Sequence, residues 1–267
     1  SSYTLTVADA FREFWDEYQQ KHAVTPEQAR VVRDMMACRT SALGGRIDQC
    51  SECGALVFRF NSCRNRHCNQ CQKYERAKWV EKQKVMHLPI GYFHTIFTTD
   101  HALNPLFRQN KEVLYSLMFK TVSEVLQAQA GQELGCELGI TAALHTWGQQ
   151  LEEHIHIHAI VTGGGLSLNG QWFIRAKRDY LLDVVVLSAA YRDQLLAGID
   201  QLYRQGQLQL RGAAAEIDVP GLLAELRAKK WEVYIKPFAD PEAVTTYLSR
   251  YVHQVALSNY RLVSIEN

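Results

Sequence analysis

The chain lacks an apolar run long enough to cross a bilayer, since no stretch approaches the roughly 20 apolar residues that a membrane-spanning helix needs. It also lacks a dominant charge, because 29 Lys and Arg oppose 28 Asp and Glu, and the net charge of +1 favours no particular partner. No internal repeat, low-complexity linker or signal-peptide pattern is present, as charged residues begin at Asp9 and Arg12. These absences predict a cytoplasmic protein that does not bind a membrane.

Length and composition are those of an ordinary globular protein. The chain has 267 residues, 47% of them hydrophobic and 21% charged, which allows a main domain with a smaller one attached. Seven cysteines, an odd number without a secretory signal, argue against a disulfide framework. Five of them lie between Cys50 and Cys71, which indicates metal ligands instead.

The cysteine-rich segment contains two CxxC pairs. Each pair presents two thiolates to one ion, so two pairs complete the tetrahedral shell of a structural zinc site. The predicted zinc ligands are Cys50, Cys53, Cys68 and Cys71. Cys63 and His67 are near enough in sequence to replace one of the four.

Two further interpretations concern the remaining cysteines and the CxxC pairs. Cys38 and Cys136 are interpreted as ordinary small buried residues. Zinc deaminases also carry a CxxC pair, but their His-x-Glu segment precedes it, and no such segment occurs upstream here. Deamination is therefore excluded.

A basic segment follows the first CxxC pair. From Arg59 to Lys84 the chain has eight Lys or Arg and two acids, which is typical of a surface that contacts nucleic acid. Arg64, Arg66 and Lys73 on zinc-supported loops would contact DNA phosphates. The alternative is a solvated helix face without a ligand.

Three histidines alternate with isoleucines in the run from His154 to His158. Successive side chains of a strand point to opposite faces, so His154, His156 and His158 share one face and the isoleucines the other. If strands 138–147 and 155–162 form a hairpin around residues 150–151, His145 lies opposite His156, about 5 Å away between Cβ atoms.

This arrangement predicts a metal site made of His145, His156 and His158, with His154 as the spare. Imidazoles suit manganese, zinc, nickel or iron, and a phosphate substrate would also admit magnesium. The alternative is a hairpin whose histidines face solvent.

Tyr247 and Tyr251 lie four residues apart in a segment with helical pattern. They therefore share a helix face, near Arg250, and two phenols beside a metal could attack a phosphodiester. Without the metal site they would be read as core or interface residues.

The remaining pattern predicts an α+β fold, an antiparallel sheet with helices packed on it. Gly163, Gly164 and Gly165 are expected to end the second histidine-bearing strand, and Asn169-Gly170 to form a hairpin turn. Predicted helices are 5–37, 72–87, 105–130, 187–205, 220–229 and 240–255; predicted strands are 92–98, 138–147, 155–162, 231–236 and, as a possible last one, 261–265. Two domains are predicted, a helical and zinc-binding one at 1–88 and a catalytic one at 89–267.

Several segments together resemble one family. They are CxxCG (50–54), NSCRNRHCNQCQ (61–72), YFHTIFT (92–98), LHTWGQ (144–149), HIHIHAIVTGGGL (154–166) and YLSRYVHQVALSN (247–259). Over roughly residues 30–260 the chain resembles the two-tyrosine HUH transposases of the insertion sequence 91 family, which move by a rolling-circle route.

The resemblance implies an HUH-endonuclease-like sheet and a bacterial, nucleoid-associated protein. It implies that His156 and His158 hold Mg²⁺ or Mn²⁺ on the scissile phosphate, with His145 as third ligand. Tyr247 and Tyr251 would be the nucleophiles, each able to form a 5′-phosphotyrosine link with single-stranded transposon-end DNA. The cysteine block would be the family's zinc-binding domain.

Two departures from the family pattern are visible. Ile155 stands where the family usually has proline, which should not affect the metal site, and family members commonly extend beyond the point where this sequence stops. The alternatives are a replication initiator or conjugative relaxase with the same chemistry, or a zinc-containing DNA-binding protein without catalysis. The zinc block favours the transposase.

Overall fold

The computed structural model describes residues 5–86, 88, 90–148, 150–167, 169–174, 179–238, 241–252, 255, 257 and 259–265. The chain divides into two compact units, Ser1–Lys82 with His253–Asn267, and Gln83–Val252. The sequence prediction has a single boundary at residues 88 and 89 and assigns residues 253–267 to the second domain. The assignment of a separate function to each domain stays a prediction.

The first unit begins with two helices within the segment 5–37 that the sequence predicts to be helical, and the second begins at the predicted helix start, Thr25 to Gln28. Helix α1 is Val7–Lys21 and helix α2 is Pro26–Ala37. Each starts at a capping box, in which a threonine side chain and the residue three positions later bond to each other's backbone N–H. The second box, with Pro26 in the first turn, separates the two helices.

The described part of the first unit also contains a hairpin and a third helix. Strands β1 (Gly45–Gln49) and β2 (Leu56–Phe60) pair antiparallel, and helix α3 is Asn69–Lys84. The buried core of this unit is small and consists of Val7, Met35 and the three cysteines Cys38, Cys68 and Cys71. So few buried apolar side chains make a metal the natural source of further stability.

The second unit contains one antiparallel sheet. Its strands are β3 (Tyr92–Thr98), β4 (Cys136–Trp147), β5 (Glu153–Ser167), β6 (Trp172–Ile174) and β7 (Val233–Phe238). The order is β4-β5-β3-β7, with β6 paired to β5. The long strand β5 is therefore central, as its run of alternating histidines and isoleucines requires.

The five helices of this unit are α4 (Asn104–Gln109), α5 (Lys111–Glu133), α6 (Val184–Arg204), α7 (Val219–Ala228) and α8 (Pro241–Val252). The main core joins Phe93, Phe97 and Ile157 of the sheet to Leu126 and Leu195 of α5 and α6. The opposite face of the sheet bears the histidines and contacts α8. The predicted α+β class, an antiparallel sheet with helices packed on it, is confirmed.

Two local predictions are wrong. The glycines at 163–165 do not end β5, which continues to Ser167. Glycine is needed within this strand because β5 passes too close to β4 for a side chain. A Cβ at Gly165 would lie 1.6 Å from the carbonyl oxygen of Glu137. Residues 261–265 form no strand: Val263 is 92% exposed, and only Leu262 packs, partly buried, against the core of the first unit.

The helices of the described residues include none long and apolar enough to cross a membrane.

Candidate active site and metal-binding clusters

Three histidines meet on the sheet face opposite the main core. Strands β4 and β5 pair with His145 opposite His156, as the hairpin spacing predicts. The ligand nitrogens of His145, His156 and His158 lie within 4.8 Å of one another, and all three side chains are buried. His154 stays outside this cluster, since its Nδ1 lies 3.0 Å from Nε2 of His101.

Hydrogen bonds orient two of these rings. Nδ1–H of His156 donates to the backbone carbonyl of His154 at 2.8 Å, which leaves Nε2 as the unprotonated ligand atom. Nδ1 of His158 lies 2.8 Å from Nε2 of His94, and the Nε2 atoms of His156 and His158 face each other at 3.1 Å. Two Nε2 atoms turned toward the same point, with a third imidazole beside them, fit a divalent metal.

Burial favours the uncharged form of His156 and His158. It lowers the pKa of His156 to about 4, although the hydrogen bond to the His154 carbonyl acts in the opposite direction. It lowers the pKa of His158 to about 2, assisted by the neighbouring His156, His145 and His94. A neutral imidazole is the metal-binding form, so the cluster is ready to accept an ion without losing protons.

His94 is a further member of this cluster, which the sequence analysis did not single out. It lies on β3, directly beside β5, and is 1% exposed. Its ring is stacked on His158 with centroids 5.0 Å apart. Burial and the nearby Lys236 lower the pKa of His94 to about 4. The sequence signal for His94 was its position as the single histidine of the apolar strand YFHTIFT. An imidazole in such a strand needs a polar partner, because a buried polar group without one is unfavourable.

Tyr247 joins the histidines from helix α8. Its ring contacts the ring of His94, with centroids 5.0 Å apart and planes at 70°, and it also packs on Phe238 at 5.5 Å. The predicted nucleophile and the predicted metal ligands are thus linked through His94 within one unit. Tyr251 and Arg250 lie on the same helix, one turn or less further on, and their side chains are outside the described part of the structure.

The histidine cluster opens onto a groove of about 720 Å³. Its lining includes His156 and His158 together with Thr98 of β3. Lys229 and Lys230 also line it, and Lys229 pairs with Asp100 at 3.6 Å and with Glu225 at 2.9 Å. A groove that joins imidazoles to lysines has the chemistry to hold a phosphodiester chain.

A second metal-binding cluster lies in the first unit. It consists of Cys38, Cys63, Cys68 and Cys71, whose sulfurs lie within 4.8 Å of one another. The sulfur of Cys71 is 3.6 Å from that of Cys38 and 3.7 Å from that of Cys63. Four thiols in such a cluster match a closed tetrahedral zinc site.

This set corrects the predicted zinc ligands. Cys68 and Cys71 are present as predicted, and Cys63, the alternate, replaces one ligand, whereas His67 is exposed and outside the cluster. Cys50 and Cys53 are also exposed and lie outside it, because they occupy the turn at the tip of the β1–β2 hairpin.

The fourth member is Cys38, which the sequence analysis treated as an ordinary buried residue. It follows the end of α2 and is separated from Cys63 by too many residues for any short-spacing rule. Burial raises the pKa of Cys68 to about 11 and also raises that of Cys63. Metal binding at these thiols must therefore release protons.

The predicted DNA-contacting residues of this unit are exposed. Arg64 and Arg66 lie in the loop between β2 and α3, and Lys73 lies on α3. Arg64 has a left-handed backbone, with φ at 56°, and it directly follows the cluster residue Cys63.

Comparison with known proteins matches this chain to transposases. Residues 139–267 match the family described as "Putative transposase", and residues 10–99 match the family described as "Transposase zinc-binding domain". The chain belongs to the two-tyrosine HUH transposases of the insertion sequence 91 family.

Two curated relatives support this membership. The chain is 41% identical to "Putative transposase y4qJ" of Sinorhizobium fredii over 98% of its own length and 68% of the relative's. It is 28% identical to the transposase for insertion sequence element IS801 of Pseudomonas savastanoi, over 95% of this chain and 62% of that protein. The chain thus spans about two thirds of the length of these relatives.

Among solved structures, the chain is similar to the conjugative relaxase TrwC in complex with mutant OriT DNA. The likeness has a TM-score of 0.35 and 16% sequence identity, and it covers 61% of this chain and 74% of the relaxase chain.

Proposed function

We propose that this protein cleaves and rejoins single-stranded DNA through a 5′-phosphotyrosine intermediate during rolling-circle transposition. The observation that carries the proposal is the contact between Tyr247 and His94, which in turn meets His158. This contact sets a phenol beside a cluster of three imidazoles that fits a metal. Tyrosine and metal ligands in one place are what phosphodiester cleavage by a phenol requires.

The residues of the chain prepare the reaction in three ways. His145, His156 and His158 would hold a divalent ion, Mg²⁺ or Mn²⁺ in this proposal, and hydrogen bonds already orient the rings of His156 and His158. A bound ion would polarise the scissile phosphate and offset the charge that develops on its oxygens. His94 would hold the ring of His158 in place, and Tyr247 would supply the attacking oxygen.

The chemistry balances without an external energy source. The phenolic oxygen of Tyr247 forms a bond to phosphorus, and the phosphorus–O3′ bond breaks. The phenolic proton passes to solvent, and the departing 3′ oxygen takes up a proton to become a free hydroxyl. The reverse attack by a 3′-hydroxyl restores the phosphodiester and the phenol. Tyr251 would permit a second cleavage or a strand exchange before release.

Single-stranded transposon-end DNA is the substrate that fits this site best. His156 is only 7% exposed and is reached through the groove, so the phosphate must approach on a strand that is not held in a duplex. Arg64, Arg66, Lys73 and Arg250 are proposed to contact phosphates away from the reacting bond.

The test is incubation with labelled single-stranded oligonucleotides and Mn²⁺, followed by denaturing gel electrophoresis and mapping of the modified residue. The wild-type protein should form a covalent protein–DNA adduct. Changing both Tyr247→Phe and Tyr251→Phe should abolish it, and each single variant shows which phenol attacks. Tyr191→Phe, a buried tyrosine of the core, is a matched control for loss of a phenol. An unchanged adduct in the double variant would refute Tyr247 and Tyr251 as the nucleophiles. No adduct in the wild type would refute the proposal in favour of a non-catalytic DNA-binding protein.

A further inference from the structure

The first unit contains a cleft that takes no part in the proposed chemistry at the histidines, although Arg64, already proposed as a phosphate contact, is among its lining residues. Its volume is about 760 Å³, and it is lined by arginines and aromatic side chains, with no acid among its lining residues. The charged and aromatic lining residues are Arg39, Arg46, Arg59, Arg64, Phe58, Phe60 and Tyr74.

Two of the arginines directly follow residues of the cysteine cluster in the chain. Arg39 follows Cys38 and Arg64 follows Cys63, and both have left-handed backbones, with φ at 58° and 56°. Such a conformation is unfavourable outside glycine and persists only where neighbouring structure imposes it. Here the backbone N–H of Arg39 donates to the carbonyl of Asn61 at 3.0 Å, and that of Arg64 is directed at the sulfur of Cys71.

The other two arginines come from the β1–β2 hairpin. Arg46 and Arg59 lie directly opposite each other, and both pair with Asp48, Arg46 at 3.2 Å and Arg59 at 2.5 Å. One carboxylate shared by two guanidiniums leaves the cleft with an excess of positive charge. Their side chains are 73% and 60% exposed, so they are accessible to an anionic ligand.

Exposed aromatic residues also line the cleft. Phe58 is 63% exposed, Tyr74 57% and Phe60 47%. Large apolar side chains left open to water in a cleft mark a binding surface rather than a core. Guanidiniums next to exposed rings are the combination that binds a nucleic acid strand with unpaired bases, since phosphates meet the cations and bases stack on the rings.

We infer that this cleft binds an unpaired segment of DNA and that the cysteine cluster positions its arginines. The inference rests on the proposed function only in taking DNA as the ligand. It adds a second contact with the strand, formed by the zinc-binding unit and separate from the histidine cluster. Because Arg39 and Arg64 each adjoin a cluster cysteine, the shape of the cleft depends on that cluster.

The test is fluorescence anisotropy with a labelled mixed-sequence oligonucleotide, single-stranded or annealed to its complement, over a range of salt concentrations. The double variant Arg39→Gln with Arg64→Gln should bind the single strand at least about tenfold more weakly. Its salt dependence should be shallower by about 1.4 in the log–log slope, at about 0.7 for each lost phosphate contact. The matched control is Arg30→Gln with Arg33→Gln, two exposed arginines of α2 that do not line the cleft.

A second variant tests the aromatic contact without touching the cysteine cluster. Phe58→Ala should weaken single-strand binding at least about fivefold, the lower end of what one stacked base contributes, and leave duplex binding unchanged. Equal losses for single strand and duplex would overturn the preference for unpaired DNA. Binding by the Arg39 and Arg64 variant equal to that of the control would overturn the cleft itself.

The inference about the cleft and the proposed reaction can be refuted independently. If the cleft variants bind normally while Tyr247-dependent adduct forms, only the cleft inference is lost. If they lose binding and no adduct forms in the wild type, only the proposed reaction is lost. Zinc content equal to that of the wild type shows that a variant has retained the cysteine cluster.

Discussion

At the scale of single residues, His94 links the two halves of the candidate active site. It touches a proposed metal ligand, His158, on one side and the proposed nucleophile, Tyr247, on the other. For His158 to offer Nε2 to a metal, its proton must be on Nδ1, so Nδ1–H donates to Nε2 of His94. We therefore expect His94 to act as a positioning residue rather than as a ligand.

Replacing His94 tests that role. His94→Phe keeps a ring but removes the acceptor, and should weaken Mn²⁺ binding by about 10- to 100-fold, as loss of such an outer contact typically does. His94→Gln retains an acceptor and should restore most of the affinity. Isothermal titration of the DNA-free protein with Mn²⁺ measures both.

The control for this prediction is His101→Phe, because His101 pairs with His154 outside the three-histidine cluster. It should leave Mn²⁺ affinity unchanged. Equal affinity of the His94→Phe variant and the wild type would show that His94 does not orient His158.

At the scale of elements, the β4–β5 hairpin and the β1–β2 hairpin show what sequence pattern can and cannot predict. In β5, the alternation of histidine and isoleucine predicts both faces and the register that sets His145 against His156, and the structure confirms it. In the cysteine segment, pair spacing alone predicts the wrong set, because Cys50 and Cys53 lie at a hairpin tip. Spacing rules consider only residues that are close in sequence. Cys38 is distant in sequence and reaches the cluster because it follows the last residue of α2.

Cysteine variants separate the two ligand sets. Cys38→Ser should remove bound zinc and lower the melting temperature of the first unit, because its small core includes the cluster. Cys50→Ser should retain the zinc and the stability, since Cys50 is exposed and outside the cluster. Metal analysis by mass spectrometry and thermal unfolding measure the two effects. Loss of zinc in Cys50→Ser and its retention in Cys38→Ser would restore the ligand set predicted from spacing.

At the scale of the whole molecule, two units carry two different metal-binding clusters. The thiol cluster belongs to the first unit and the imidazole cluster to the second. Four thiols close a coordination shell and suit a structural ion, whereas three imidazoles leave positions for a substrate oxygen. DNA contacts in one unit and cleavage in the other should therefore be separable by mutation.

His156→Ala tests this separation. Removal of a ligand should abolish adduct formation in Mn²⁺, because the remaining imidazoles hold the ion too weakly. Single-strand affinity should stay within about twofold of the wild type, as the phosphate contacts of the first unit are intact. Cleavage equal to that of the wild type, or loss of binding as large as that of the Arg39 and Arg64 variant, would contradict the separation.

The sequence by itself determined the α+β class, the positions of most helices and strands, and the grouping of His145, His156 and His158. Those features depend on local periodicity and on the pairing of adjacent strands, which neighbouring residues encode. Only the tertiary structure decided that His94 joins the histidines, that Cys38 and Cys63 replace Cys50 and Cys53, and that four arginines surround one cleft. These contacts join segments far apart in the chain, and burial and backbone geometry select them where no spacing rule applies.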